Sequence, residues 1–229
     1  DRSSRPRRPL PGAAANRRRP GGCAGYTRSL FSAQGDTTVK VWDVSHAFPP
    51  PSSLAGGKAD PRSFPSIPLF TLSGHTNQVA RIALSPDGAY LATASYDGLA
   101  IVWEVQSGKE KLRLTGHRGW VTNVAFSPDG RHLATTSTDR TARVWDWTPF
   151  SHEVLTLAGH KGKIDAMALS PDGKRLATIG RDSMAKVWDL ETGEELVKII
   201  GGGNAPELWV ESIAFSPDGT RLTTVAVDG

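Results

Sequence analysis

The sequence predicts an all-β chain in which four-stranded antiparallel sheets repeat side by side around an axis. Three observations carry that expectation. A self-similar unit recurs every 42 or 43 residues, each full copy contains Ser-Pro-Asp-Gly, and short apolar runs separate the turns. Full copies occupy 74–115, 116–158 and 159–200, and partial copies occupy 28–73 and 201–229. Strands this short cannot bury both faces alone, whereas stacked neighbouring sheets can.

Residues 1–27 precede the repeats. They are rich in Arg, Pro and Gly and poor in apolar side chains, so disorder is expected. Pro6-Arg7-Arg8-Pro9 satisfies a PxxP pattern, which alone is weak evidence for a ligand segment. Residues 1–28 hold eight Arg and one Asp, so the overall charge of +4 leaves the remaining residues near −3. The pI near 9.4 therefore reflects this segment. No nucleic-acid partner is expected from the mildly acidic repeats. No apolar run reaches the roughly 18 residues of a membrane helix, and no leader-like apolar stretch follows the N-terminal charges, so no membrane association is expected. Cys23 is the only cysteine. That excludes an internal disulfide and fits a cytoplasmic protein.

The 28–73 copy is recognisable from LFSAQGDTTVKVWDV at 30–44. From Trp42 to His75 is 33 residues, whereas Trp103 to His117 is 14. The excess contains Pro49-Pro50-Pro51 and Gly56-Gly57 and is read as a loop inserted at about 46–66.

The 116–158 copy shows the unit most clearly. Val121–Phe126 is the first strand, and in the following turn Pro128 is pre-set for the second position and Gly130 is free to take positive φ. His132–Ser137 is the second strand, Thr141–Asp146 the third and Glu153–Leu157 the fourth. In the first strand Val121, Val124 and Phe126 are spaced three then two apart. The same spacing occurs at Val79/Ile82/Leu84, Ile164/Met167/Leu169 and Val210/Ile213/Phe215. Strict alternation would give two and two, so a β-bulge is expected in each first strand.

Gly-His opens the units at Gly74-His75, Gly116-His117 and Gly159-His160. Trp-Asp closes them at Trp42-Asp43, Trp145-Asp146 and Trp188-Asp189, with Trp103-Glu104 a near match. Over about 28–229 the chain resembles the WD40 repeat family, as a prokaryotic-type array. The resemblance implies a β-propeller of four-stranded antiparallel blades. Three full and two partial blades would be an incomplete ring, so a fragment of a longer protein is expected.

His117, Ser137 and Asp139 superficially offer a hydrolase set. The resemblance implies instead that His, Ser/Thr, Asp and Trp form a buried hydrogen-bonded tetrad in each blade. By register the tetrads would be His75, Ser95, Asp97, Trp103 and His117, Ser137, Asp139, Trp145. The 159–200 copy keeps His160, Asp182 and Trp188 but has Gly180 at the Ser position, where Gln34 and Ala226 stand in the partial copies. Those blades are expected to be less rigid. A set that recurs in successive repeats is architectural, and no Gly-x-Ser-x-Gly elbow is present. No metal or cofactor is expected either. His-Glu-x-x-His, Cys-x-x-Cys and calcium-loop spacings are missing, and Gly56-Gly57-Lys58 is no phosphate loop.

The resemblance also implies a binding face, formed by the loops before the first strand, the turns between second and third strands and the bulged residues. By register that face would carry Gln78, Ala80 and Tyr96, then Trp120, Thr122 and Thr138, then Lys163, Asp165 and Arg181, then Trp209, Glu211 and Val227. Trp120 and Trp209 lie outside the apolar phase of their strands, and Trp, Tyr and Arg are enriched at binding hot spots. The competing reading is that each Trp merely covers the neighbouring blade. A protein-interaction scaffold that binds proteins or peptides and catalyses nothing is the leading expectation. The alternative, by family analogy alone, is a sensor or regulatory region of a larger kinase or NTPase.

Overall fold

The computed structural model describes residues 29–33, 37–43, 68–147, 152–200 and 209–227. The expected disorder of 1–27 and the loop at about 46–66 lie outside these residues. The described residues are all β, with no helix among them.

Three complete blades follow one another. The first comprises β4 (Val79–Leu84), β5 (Tyr90–Ser95), β6 (Ala100–Glu104) and β7 (Glu110–Leu114). The next comprises β8 (Val121–Phe126), β9 (His132–Ser137), β10 (Thr141–Asp146) and β11 (His152–Ala158), and the last β12 (Ile164–Leu169), β13 (Arg175–Gly180), β14 (Met184–Asp189) and β15 (Glu195–Ile200). Each is an antiparallel sheet in sequence order. They are called here the second, third and fourth blades. A three-stranded sheet of β1 (Ser29–Ala33), β2 (Thr38–Asp43) and β3 (Phe70–Ser73) stands before them as the first blade. A two-stranded sheet of β16 (Trp209–Phe215) and β17 (Leu222–Val227) follows as the fifth. These sheets do not close a ring.

The bulges expected from the three-then-two spacing are present. Pairing slips between Val79 and Arg81, Val121 and Asn123, Ile164 and Ala166, and Val210 and Ser212. Ala80, Thr122, Asp165 and Glu211 are thus the extra residues. A second irregularity had no apolar signature. It lies where the third strand pairs with the fourth, at Val102/Trp103, Val144/Trp145 and Val187/Trp188.

The core lies between blades. Ala92, Val102 and Leu114 of the second blade pack with Val121, Val124 and Leu133 of the third. Val144 and Leu157 of the third pack with Ile164 and Leu176 of the fourth. Each sheet therefore buries its faces only because a neighbour is stacked on it. The Ser-Pro-Asp-Gly turns stack too: Pro86 lies beneath Gly130, Pro128 beneath Gly173 and Pro171 beneath Gly219. Those glycines hold φ of 73°, 70° and 68°, the left-handed region that a side chain would strain.

Candidate functional site

At the end of the blades opposite the Ser-Pro-Asp-Gly turns, the loop before each first strand meets the turn after each second strand. The joining atom is the turn carboxylate. Asp97 Oδ2 accepts from the Thr76 N–H at 3.0 Å, Asp139 Oδ2 from the Arg118 N–H at 2.9 Å, and Asp182 Oδ2 from the Lys161 N–H at 2.7 Å. The same carboxylates receive the His Nδ1, at 2.8 Å for His75, 2.9 Å for His117 and 2.9 Å for His160.

The far side of each imidazole corrects the expected tetrad. His75 Nε2 meets Thr93 Oγ1 at 2.7 Å, and the Trp103 indole N–H donates to that oxygen at 3.0 Å. Thr135 bridges His117 and Trp145 at 2.8 and 2.9 Å, and Thr178 bridges His160 and Trp188 at 2.9 and 2.8 Å. The bridging hydroxyl is therefore the threonine two residues before the expected serine. Ser95 instead donates to the Asn77 carbonyl at 3.0 Å, and Ser137 Oγ accepts the Asp139 N–H at 3.1 Å. Positions two apart on a strand share a face, so only reach across the sheet selects between them. His117 spends both ring nitrogens on Asp139 and Thr135, so Ser137, Asp139 and His117 form no nucleophile–base pair.

The correction extends to the 159–200 copy. With Thr178 as the bridge, Gly180 removes nothing from the tetrad, and the reason to expect a less rigid blade disappears. His160 Nδ1 even reaches both Asp182 oxygens, at 2.9 and 3.1 Å. A Cβ at Gly180 would lie 2.5 Å from His160 Nδ1 and 2.7 Å from Asp182 Oδ1. Gly180→Ser, which looks restorative from sequence, is therefore expected to lower the melting temperature, with a cost of about 1–3 kcal/mol for overpacking. A higher melting temperature would show that the blade wants the serine. Gln34 and the side chain of Ala226 lie outside the described residues.

Burial pushes His75, His117 and His160 below the ordinary value of 6.5, against the raising effect of their Asp partners. Burial pushes the Asp139 carboxyl up, but hydrogen bonds from Thr141, Arg118 and His117 outweigh it and hold it down to about 2. The tetrads are thus neutral imidazoles on ionised carboxylates. Among the described residues no group of three His, Cys, Asp or Glu side chains is arranged to hold a metal ion.

The expected binding-face residues divide into several kinds. Trp120 is 52% exposed, while Trp103, Trp145 and Trp188 are buried. Its ring stacks on Tyr96 of the preceding blade, centroids 4.7 Å apart at 22°. It therefore does cover its neighbour, yet half its surface stays open. Thr138 Oγ1 accepts the Trp120 N–H at 2.9 Å and fixes its backbone. Gln78 is exposed, with its carbonyl taking the Tyr96 N–H at 2.9 Å. Thr122 is half-buried, and its hydroxyl donates to the Ile164 carbonyl at 2.7 Å. It braces the third blade against the fourth instead of presenting a free group. Asp165 accepts from Arg181 Nε at 2.6 Å and pairs with Lys163 Nζ at 3.0 Å. The side chains of Trp209, Glu211 and Val227 lie outside the described residues. Sequence reasoning missed Arg118, Arg140 and Lys161, all exposed beside the tetrads. Their signal was charge at loop positions that the second blade fills with Thr76 and Gly98.

Residues 66–104, 108–146 and 151–189 match the family model described as WD domain, G-beta repeat, and together make up just over half of the chain. Each matched unit takes in the outer strand of one blade and ends on the Trp-bearing strand of the next, so it straddles two sheets. The Target of rapamycin complex subunit wat1 of Schizosaccharomyces pombe is 33% identical over 85 residues, 37% of this chain and 22% of that protein. Ribosome biogenesis protein YTM1 of Coccidioides immitis is 31% identical over an alignment of 105 residues, 34% of this chain and 23% of that protein. Small ribosomal subunit protein RACK1z of Arabidopsis thaliana is 42% identical over 40 residues, 18% of this chain and 12% of that protein. The chain spans less than a quarter of each of these relatives.

Proposed function

The chain belongs to the WD40 repeat family, and from that membership we propose that it is a protein-interaction scaffold with no catalysis of its own. The observation that carries this reading is the half-open Trp120 stacked on Tyr96 at the same end of the blades as the paired Asp165, Arg181 and Lys163. A rigid aromatic surface costs little side-chain entropy on binding, and the tetrads beneath it hold its loops in place. The named relatives support the same reading. One is a subunit of a complex, one a ribosome biogenesis protein and one a ribosomal subunit protein. The partners of this chain are then other proteins or peptides. A cytoplasmic location is part of the proposal; a further relative is named as a probable cytosolic iron-sulfur protein assembly protein.

The test is a double variant, Trp120→Ala with Arg181→Ala. The variant gives up the Tyr96 stack and the Asp165 pair, so the melting temperature is expected to fall by only about 2–8 °C, as for a loss of roughly 1–2 kcal/mol, with the fold kept. A partner identified with the parent chain is expected to be lost from the variant. Unfolding of the variant, or undiminished binding, would remove this face as the site.

A further inference from the structure

The repeat supplies its own internal control. The residue after the tetrad His is Thr76 in the second blade, Arg118 in the third and Lys161 in the fourth. The residue after the turn Asp is Gly98, then Arg140, then Ser183. Over the third and fourth blades this face carries Arg118, Arg140, Lys161, Lys163 and Arg181 against three carboxylates. Two of those, Asp139 and Asp182, are enclosed in tetrads with side chains only 10% and 6% exposed. The third, Asp165, is shared by Arg181 and Lys163. Arg118, Arg140 and Lys161 are exposed and belong to no ion pair among the described residues.

Arg140 adds a second kind of observation. It holds φ of 73° at the position where Gly98 holds 88°. A non-glycine residue there costs roughly 1 kcal/mol, a strain that Ser183 shares at φ of 58° in the fourth blade, and the Arg140 side chain makes no hydrogen bond or ion pair among the described residues. The charge therefore sits where the backbone would prefer glycine.

We propose that this face docks an acidic peptide segment, with an apolar or aromatic side chain against the open side of Trp120 and carboxylates on Arg118, Arg140 and Lys161. The inference rests on the scaffold reading and adds the chemistry of the partner. The charge of the repeats, as distinct from that of the whole chain, favours a peptide over nucleic acid. The patch is local within repeats that are acidic on balance, and a phosphate backbone recruits affinity from many neutralised charges along its length. Trp120 also has one ring face already covered by Tyr96, which leaves one anchor point instead of a row of stacking platforms.

The probe is a blocked heptapeptide of Glu and Asp around a central Phe, titrated into the full chain by calorimetry. Saturable binding is expected, weakening as salt is raised. Arg118→Glu with Lys161→Glu is expected to weaken it by about tenfold or more, the effect of placing like charges across an interface. Trp120→Ala is expected to weaken it as well. Arg118→Gln with Lys161→Gln, which removes charge without reversing it, provides a milder variant should the reversal disturb folding, and its melting curve checks the fold. Equal or tighter binding of the all-Lys counterpart or of a single-stranded RNA oligonucleotide would overturn the proposal. So would a charge-reversed chain that binds the acidic probe as well as the parent does. If the probe fails to bind while the Trp120→Ala, Arg181→Ala variant still loses its native partner, the acidic preference falls and the scaffold reading stands. If that variant keeps its partner, both fall.

Discussion

Thr135→Val is expected to destabilise the chain by roughly 2–5 kcal/mol, although Thr and Val have nearly the same shape. The Thr135 hydroxyl is fully buried and lies 2.8 Å from His117 Nε2 and 2.9 Å from Trp145 Nε1. His117 donates its Nδ1 proton to the Asp139 carboxylate, so Nε2 is the acceptor and Thr135 the donor to it. The same oxygen accepts the indole N–H. Valine leaves both groups unpaired in the core, and each orphaned buried polar group costs about 1–3 kcal/mol. For a chain of this size that lowers the melting temperature by roughly 5–15 °C. Ser137→Ala removes only an acceptor for the Asp139 N–H, and about 1 kcal/mol is expected. Thermal denaturation of the two variants side by side decides the assignment. If Ser137→Ala cost as much as Thr135→Val, the serine would be the bridge after all.

Asp139→Ala is the second large effect. Its Oδ2 accepts from His117 and the Arg118 N–H, and its Oδ1 from the Thr141 N–H at 3.0 Å and the Thr141 hydroxyl at 2.6 Å. Alanine unties the loop, the turn and the imidazole at once, and roughly 2–4 kcal/mol is expected at neutral pH. The pH dependence follows from the sign of the shifts. Asp139 is held down to about 2 from an ordinary value of 3.8. Its ionised form is thus favoured in the folded chain, and that stabilisation is present above 3.8 and lost as pH falls through 2. After discounting for solvent screening it amounts to about 1–2 kcal/mol. The stability gap between parent and Asp139→Ala is therefore expected to narrow below pH 3.8. The three tetrad histidines act earlier. Each is held below 6.5 in the folded chain, so their neutral-form stabilisation is full above 6.5 and declines as pH falls below it. Denaturant melts from pH 7.5 downward, with parent and variant compared, would contradict this if the gap stayed constant to pH 2.

Much of the architecture was legible because short-range chemistry repeats. The Ser-Pro-Asp-Gly turns need Pro128 and Gly130 where they stand, and the extra residue between Val121 and Val124 shows in the apolar phase of one strand. The bulges where the third strand pairs with the fourth left no such mark. There the slipped residues include exposed Val154 and Leu196, whose apolar character does not track burial. His, Asp and Trp of each tetrad were placed by the family resemblance, which the fixed spacing of the repeat carried from one unit to the next.

The sequence by itself determined the number and order of strands in each full unit and the bulged first strands, since each depends on residues within one 42- or 43-residue period, and the family resemblance added three of the four tetrad members. Tertiary structure alone decided the fourth. Thr135 and Ser137 both lie on one face of β9, and only the reach from Trp145 on β10 separates them. Tertiary structure also decided the fate of the binding-face residues. Trp120 meets Tyr96, and Thr122 meets Ile164, across blades. A period read along the chain places equivalent residues at equivalent heights. It carries no information about how one blade's side chain fills or leaves open the surface of the next, because that depends on packing between sheets.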